Sequence, residues 1–260
     1  MSVLVVTGTG FGVGKTVVAA AVAVLARERG SSVAVVKPAQ TGDGHDLDEV
    51  IRLSGVATTF ELARFAEPLS PAAAARLEGV PPVSLAGAAR FVGELAESNR
   101  LVVVEGTGGL LVRFDEDGAT IADLARLVGA QVLVVTGAGL GALNHAALTL
   151  EALANRGLGL AGVVIGRWPG DPGVAERSDV ADLEMLAARP LAGVLPEGAG
   201  RLGREAFARC AREGIGATLG GSFDPAADAR HAELVRRVGI TPPSTRTPGP
   251  FREGPRRQYG

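Results

Sequence analysis

The sequence predicts an α/β doubly wound fold, a mainly parallel sheet flanked by helices, and three observations carry that prediction. Six short runs rich in Val and Leu recur along the chain, each too short for a helix and without the polar alternation of a half-exposed strand. Longer stretches with apolar residues at helical spacing lie between them. The first run passes into a glycine-rich loop and then directly into a helical stretch.

In chain order, residues 3–7 form the first predicted strand, and residues 17–29, with Ala, Val and Leu at helical spacing, form a helix that stops at Gly30, a favourable residue just past a helix end. Residues 33–37 form the second strand and Pro38 follows it. A helix over 85–98 precedes the third strand, 101–105, and 131–136 is the fourth. A helix over 142–156 ends at Gly157, ahead of strands over 160–165 and 191–195. Residues 1–220 are read as one domain and 221–260 as an extension. Its last part, 241–260, holds five prolines, three glycines, four arginines and one glutamate, with little to bury, and is expected to be disordered.

At 260 residues and 47% hydrophobic, the chain can bury a sizeable core. Its net charge of −2 supplies no basic field for nucleic acid or an anionic membrane, so neither is expected as a partner. No apolar run approaches the roughly 20 residues of a membrane helix, and no basic segment leads into a long apolar core near Met1. A single cysteine, Cys210, leaves nothing to pair within the chain, which points to a reducing cytoplasm. Of 26 basic residues, only Lys15 and Lys37 are lysines. A compact, rotatable ammonium fits where a planar guanidinium cannot, so both become candidates for a site that needs a point charge.

The loop Gly8-Thr9-Gly10-Phe11-Gly12-Val13-Gly14-Lys15-Thr16 sits between strand and helix, a P-loop NTPase-like context. Its glycines let successive backbone N–H groups turn inward around phosphate oxygens, and the helix N-terminus adds its positive dipole. Lys15 is placed to reach the outer phosphates and Thr16 to ligate Mg²⁺. Spacing puts Thr9 where the common motif has its first glycine, so the loop is a lengthened variant. Lys37 closes the second strand and therefore lies on the same sheet rim as the loop. The stretch Thr41-Gly42-Asp43-Gly44-His45-Asp46-Leu47-Asp48-Glu49 offers carboxylates on a short loop entering a helix: any of them is either a metal ligand or a helix N-terminal charge, and Asp46 is one candidate ligand. Glu105, ending an apolar strand ahead of Gly106-Thr107-Gly108-Gly109, is the stronger candidate for the metal side of a nucleotide site. Three histidines and one cysteine show no metal-ligand spacing, and no Gly-x-Ser-x-Gly elbow occurs.

Taken in order, Val6-Thr7-Gly8-Thr9 through Gly14-Lys15-Thr16, Lys37-Pro38 with Thr41-Gly42, Phe65-Ala66-Glu67-Pro68-Leu69-Ser70-Pro71, Val104 to Gly109, and Gly139-Leu140-Gly141-Ala142-Leu143-Asn144-His145 resemble the dethiobiotin synthetases over residues 3–215. The resemblance implies an ATP-dependent cyclo-ligase of biotin synthesis. It would close a ureido ring from 7,8-diaminononanoate and CO₂ through a carbamate and a carbamic-phosphoric anhydride. It implies catalytic roles for Lys37, beside the carbamate and γ-phosphate, and for Lys15 on phosphate, with Thr16, Asp46 and Glu105 as Mg²⁺ ligands. The nucleotide would lie along Gly12, Val13, Gly14, Lys15, Thr16 and Val17, against Asp46 and Glu105 to Gly108, with its base between Gly166-Arg167 and Leu195-Pro196-Glu197. Thr41 would contact the substrate near its carbamate. In a homodimer, Gly141, Ala142, Leu143 and Asn144 would receive the substrate carboxylate from the neighbouring subunit.

Two departures stand out. Many members carry Asp or Gly at position 10 and Thr at 11, where this chain has Gly10 and Phe11, which removes a hydroxyl. Many carry Asn-Asp where Gly166-Arg167-Trp168-Pro169 stands here, so a nucleoside triphosphate other than ATP stays open. The alternatives are a switch ATPase of the MinD and ParA type, or the ATP-using half of a cobyrinate-type amidotransferase. The former typically has a second lysine early in the loop, at the place Gly10 occupies. The latter needs a glutaminase domain that this length does not accommodate.

Overall fold

The structure is a computed structural model that describes residues 2–227. Its centre is a seven-stranded sheet in which every pairing is parallel. The strands are β1 (Ser2–Gly8), β2 (Val33–Lys37), β4 (Thr59–Glu61), β6 (Leu101–Gly109), β7 (Gln131–Thr136), β8 (Leu160–Trp168) and β9 (Gly193–Pro196), in the order β4-β2-β6-β1-β7-β8-β9. A two-residue strand, β3 (Gln40–Thr41), pairs separately with β5 (Arg64–Phe65).

Strand residues alternate between two cores, as the period of two in a strand demands. Val5, Val104, Val132 and Val134 face one side, where α3 (Pro71–Glu78), α4 (Leu85–Ser98), α5 (Ile121–Leu127), α6 (Ala142–Asn155) and α7 (Val174–Ala187) pack. Val6, Val35, Val103 and Leu133 face the other, covered by α1 (Lys15–Glu28), α2 (Asp46–Ser54) and α8 (Arg204–Gly214). Burial on both faces is why these strands read as unbroken apolar runs. The expected three-layer α/β architecture is present.

All strands being parallel, their carboxyl ends share one rim, and the segments leaving β1, β2, β6, β7, β8 and β9 gather there. Past residue 220 the chain is still packed: Phe223 is buried and its N–H donates to the Ile215 carbonyl at 2.9 Å. The packed unit thus continues a little beyond the boundary read from the sequence. Residues 228–260, including the 241–260 segment expected to be disordered, lie outside the described residues. No helix among the described residues is long and apolar enough to cross a membrane.

Candidate active site

The loop after β1 closes on itself through Lys15, whose ammonium donates to the Gly10 carbonyl at 2.9 Å and lies 5.9 Å from the Phe11 ring centroid, within cation–π range. Gly12 and Gly14 have φ of 71° and 98°, the left-handed region that glycine enters without penalty. Gly14 also leaves no room for a side chain, since a Cβ there would lie 2.7 Å from the Gly166 carbonyl oxygen. The loop is therefore wedged against the end of β8.

Lys37 is 2% exposed and is held by three acceptors. Its ammonium lies 2.6 Å from Asp46 Oδ2, 2.9 Å from Glu105 Oε1 and 3.2 Å from the Gly106 carbonyl. Thr16 donates its hydroxyl to the same Glu105 Oε1 at 2.8 Å. Five residues picked from the sequence, Lys15, Thr16, Lys37, Asp46 and Glu105, thus form one cluster. Among the acids of the loop entering α2, Asp46 alone meets Lys37. Glu49 pairs with Arg52 at 2.5 Å, Asp48 lies 3.3 Å from His45 Nδ1, and Asp43 is exposed.

The two lysines have opposite electrostatics. Burial, and then the neighbouring Lys37 charge, lower the Lys15 ammonium to about 8 from an ordinary 10.5, with Glu105 and Asp46 offsetting only part. Burial also works against the charged form of Lys37, but the Glu105 and Asp46 carboxylates outweigh it and hold that group above its ordinary value. Lys37 is held as a cation, whereas Lys15 is lowered to about 8.

The second carboxylate oxygen of Glu105, Oε2, is buried without a hydrogen-bond partner. Leaving such an acceptor unmet costs about 1–3 kcal/mol or more. A hydroxyl and two carboxylates, one with an unmet buried oxygen, suit a hard divalent cation that keeps water and phosphate among its ligands. No cluster of three His, Cys, Asp or Glu exists among the described residues, so no all-protein metal cage is on offer.

Further along the rim lies a groove of about 430 Å³. Gly14 and Val17 line one side, Gly166 and Arg167 the back, and Pro196 to Arg201 the other side. Arg167 donates to the Gly12 carbonyl at 3.1 Å and to Glu197, spanning from the loop to the end of β9. Leu195, expected to line this region, is wholly buried among the core residues, because its side chain points to the face covered by α8; the groove begins at Pro196.

Thr41 ends β3, between Lys37 and Asp46 in sequence, and is half-buried. Gly106 and Thr107 follow Glu105; the Thr107 hydroxyl donates to the Ala39 carbonyl at 2.5 Å, which ties the loop after β2 to β6. Gly108, with φ of 70°, turns the chain near Val112. Gly141 caps α6 in the left-handed region at φ 86°, with Ala142, Leu143 and Asn144 forming the helix's first turn; no polar contact joins these four to the lysine cluster.

The fold also brings in three features outside the residues read from the sequence: a glutamine, a glycine turn and a buried aspartate. Gln40, 5% exposed, sits two residues before Gly42, with its Oε1 buried and unpaired. The turn Gly198-Ala199-Gly200 lines the groove, and its glycines after Pro196-Glu197 were a readable signal. Asp179, buried on α7, accepts from the Gly139 N–H at 2.6 Å and so holds the loop before α6. Its partner is forty residues away, which no local pattern reveals.

Comparison with known proteins follows the same line. A family model described as "AAA domain" matches residues 2–200. The curated "ATP-dependent dethiobiotin synthetase BioD" of Parafrankia sp. (strain EAN1pec) is 58% identical over 92% of this chain and 100% of its own length. The protein of the same name from Frankia casuarinae is 60% identical over 86% of this chain and 95% of its own. That from Streptomyces coelicolor is 52% identical over 86% and 96%. Among solved structures, the septum site-determining protein MinD of Pyrococcus horikoshii, complexed with Mg-ADP, matches with a TM-score of 0.54 at 18% identity, over 92% of this chain and 97% of that one. At that identity the likeness concerns the fold alone.

Proposed function

The chain belongs to the ATP-dependent dethiobiotin synthetases, an ATP-using ligase family of biotin synthesis, and from that premise we propose that it closes the ureido ring of dethiobiotin from 7,8-diaminononanoate and CO₂. The observation that supports this reading best is the buried Lys37, set between Asp46 and Glu105 on the rim that also carries Lys15. One substrate amine adds to CO₂ and loses a proton, giving a carbamate. A carbamate oxygen attacks the γ-phosphorus of ATP and the bond to the β-phosphate oxygen breaks. The second amine then attacks the carbamate carbon, losing a proton, and phosphate leaves.

Each intermediate carries negative charge, so the protein's task is to hold anions in place rather than to form a covalent bond. Lys37, kept charged by its carboxylates, holds the carbamate and the transferring phosphoryl group, and Lys15 with the inward N–H groups from Gly12 to Val17 holds the β- and γ-phosphates. Thr16, Asp46 and Glu105 would hold Mg²⁺, which when bound spreads the charge of the phosphates. Glu105 to Gly108 run beside the nucleotide, and its base lies in the groove between Gly166-Arg167 and Pro196-Glu197. Thr41 contacts the carbamate end of the substrate.

The substrate carboxylate reaches Gly141, Ala142, Leu143 and Asn144 of a second copy. Leu140, fully open to solvent just before α6, and Leu148, 57% exposed about two turns into it, support a homodimer there. The catalytic unit is the single domain at 1–220 with its packed continuation, and the reaction belongs in the cytoplasm, where Cys210 stays a thiol.

The test is phosphate release from ATP with bicarbonate and the diamine supplied together or singly. Release should require both. Release at the same rate without the diamine would overturn the ligase reading in favour of a switch ATPase.

A further inference from the structure

The groove beside the phosphate loop has an unusual lining. Apart from Arg167, Glu197 and Arg201, every residue on it is glycine or apolar. It therefore offers a nucleobase no side-chain amide or hydroxyl, and of its three charged side chains Arg167 and Glu197 are paired with each other, which leaves Arg201 at the rim as the one further edge donor among the lining side chains. The Glu197 backbone N–H, a further edge donor, is already given to the Trp168 carbonyl at 2.7 Å.

What the groove does offer is a plane. The two terminal nitrogens of Arg167 are held by different segments, Nη1 by the Gly12 carbonyl and Nη2 by the Glu197 carboxylate. Two anchors on different segments fix the orientation of a guanidinium, which is flat and delocalised, and the residue lines the groove. A fixed plane of this kind stacks on any aromatic ring, because every base has a π-face. Lysine has no such plane.

We propose that Arg167 is the base-binding residue of the nucleotide site and that it recognises the base by its face, through stacking, so that purine and pyrimidine nucleotides are accepted alike. The proposal rests on the reading that this groove holds the base of the nucleotide co-substrate. Glu197 acts as a positioning residue: it holds one end of the guanidinium and does not select among bases.

The experiment measures dissociation constants of ADP, GDP, CDP and UDP, and of inorganic tripolyphosphate, for the full chain and for Arg167→Ala and Arg167→Lys. The four diphosphates should bind the unmodified protein within about tenfold of one another. Arg167→Ala should weaken all four by about fivefold or more. Arg167→Lys, which keeps the charge and loses the plane, should not restore them, and tripolyphosphate should bind all three proteins alike. One base favoured more than a hundredfold, or full rescue by lysine, would overturn the proposal. Equal weakening of tripolyphosphate would also overturn it, since Arg167 would then only brace the loop at Gly12. These are binding measurements, so they stand apart from the diamine-dependence test. A ligase confined to ATP would refute the stacking proposal alone, and diamine-independent phosphate release would refute the ligase reading alone.

Discussion

At the scale of the residue, two lysines among 26 basic side chains have come to do different work. Lys37 is locked as a cation by two carboxylates and a carbonyl, while Lys15, lowered to about 8, exchanges its proton within reach of neutral pH. In the proposed reaction the ammonium of Lys15 holds phosphate. Nucleotide affinity should therefore be level below pH 7, fall as pH rises through about 8, and decline by up to tenfold per unit above it. The same coupling makes nucleotide binding take up a proton near pH 8, which isothermal titration in two buffers of different ionisation enthalpy would detect. Affinity unchanged from pH 7 to 9.5 would contradict the assignment. For folding the sign reverses: an unfolded lysine keeps its proton to about 10.5, so this group adds stability to the free protein as pH rises from about 8 to 10.5.

At the scale of the element, the site depends on loop and strand backbones touching. A Cβ at Gly166 would lie 2.3 Å from the Val13 carbonyl oxygen and 2.7 Å from Val135 Cγ1. Gly166→Ala should therefore push the phosphate loop away, weakening nucleotide binding about tenfold and costing about 1–3 kcal/mol in an unfolding titration. Gly93→Ala is the matched control, since Gly93 lies inside α4 with open space around it, and it should stabilise by about 0.5–1 kcal/mol. Binding unaltered by Gly166→Ala would show that the contact is dispensable. Elements of this kind differ in how plainly the sequence announces them. β2 and β7 were legible at both ends because a sheet buried on both faces writes itself as an apolar run with abrupt edges. β6 and β8 run further than their apolar residues suggest, since Gly106 to Gly109 and Gly166 to Trp168 belong to the strands without contributing to the pattern. β4 carried no signal: Thr-Phe-Glu is three residues at the sheet edge, held by β2 and by the edge-on contact of Phe60 with Phe91, 5.0 Å between centroids. The lysines, Thr16 and Glu105 were readable because strand ends mark the rim, whereas choosing Asp46 among four acids needed the turn of α2 to point it inward.

At the scale of the whole molecule, the proposed homodimer rests on exposed apolar residues at and before α6. Only Ala146 and Leu153 of that helix are buried within one chain, while Leu140 and Leu148 stand in solvent. Leu148→Asp should leave the circular dichroism spectrum unchanged, shift the sedimenting species to a monomer, and raise the KM for the diamine with little effect on nucleotide affinity. A parent protein that already sediments as a monomer would remove this account.

The position of β1 at the middle of the sheet carries a last consequence, one of timing. Of the strands in the sheet it is made first, yet its neighbours are β6, where Ser2 lies beside Leu101, and β7, where Leu4 lies beside Gln131. At about 5–20 residues per second of synthesis, the phosphate-loop strand waits on the order of ten seconds for both partners to exist. Until then Val3 to Val6 is an unpaired apolar segment on a ribosome-bound chain, and the loop that follows it cannot settle before Gln131 to Val135 have been translated.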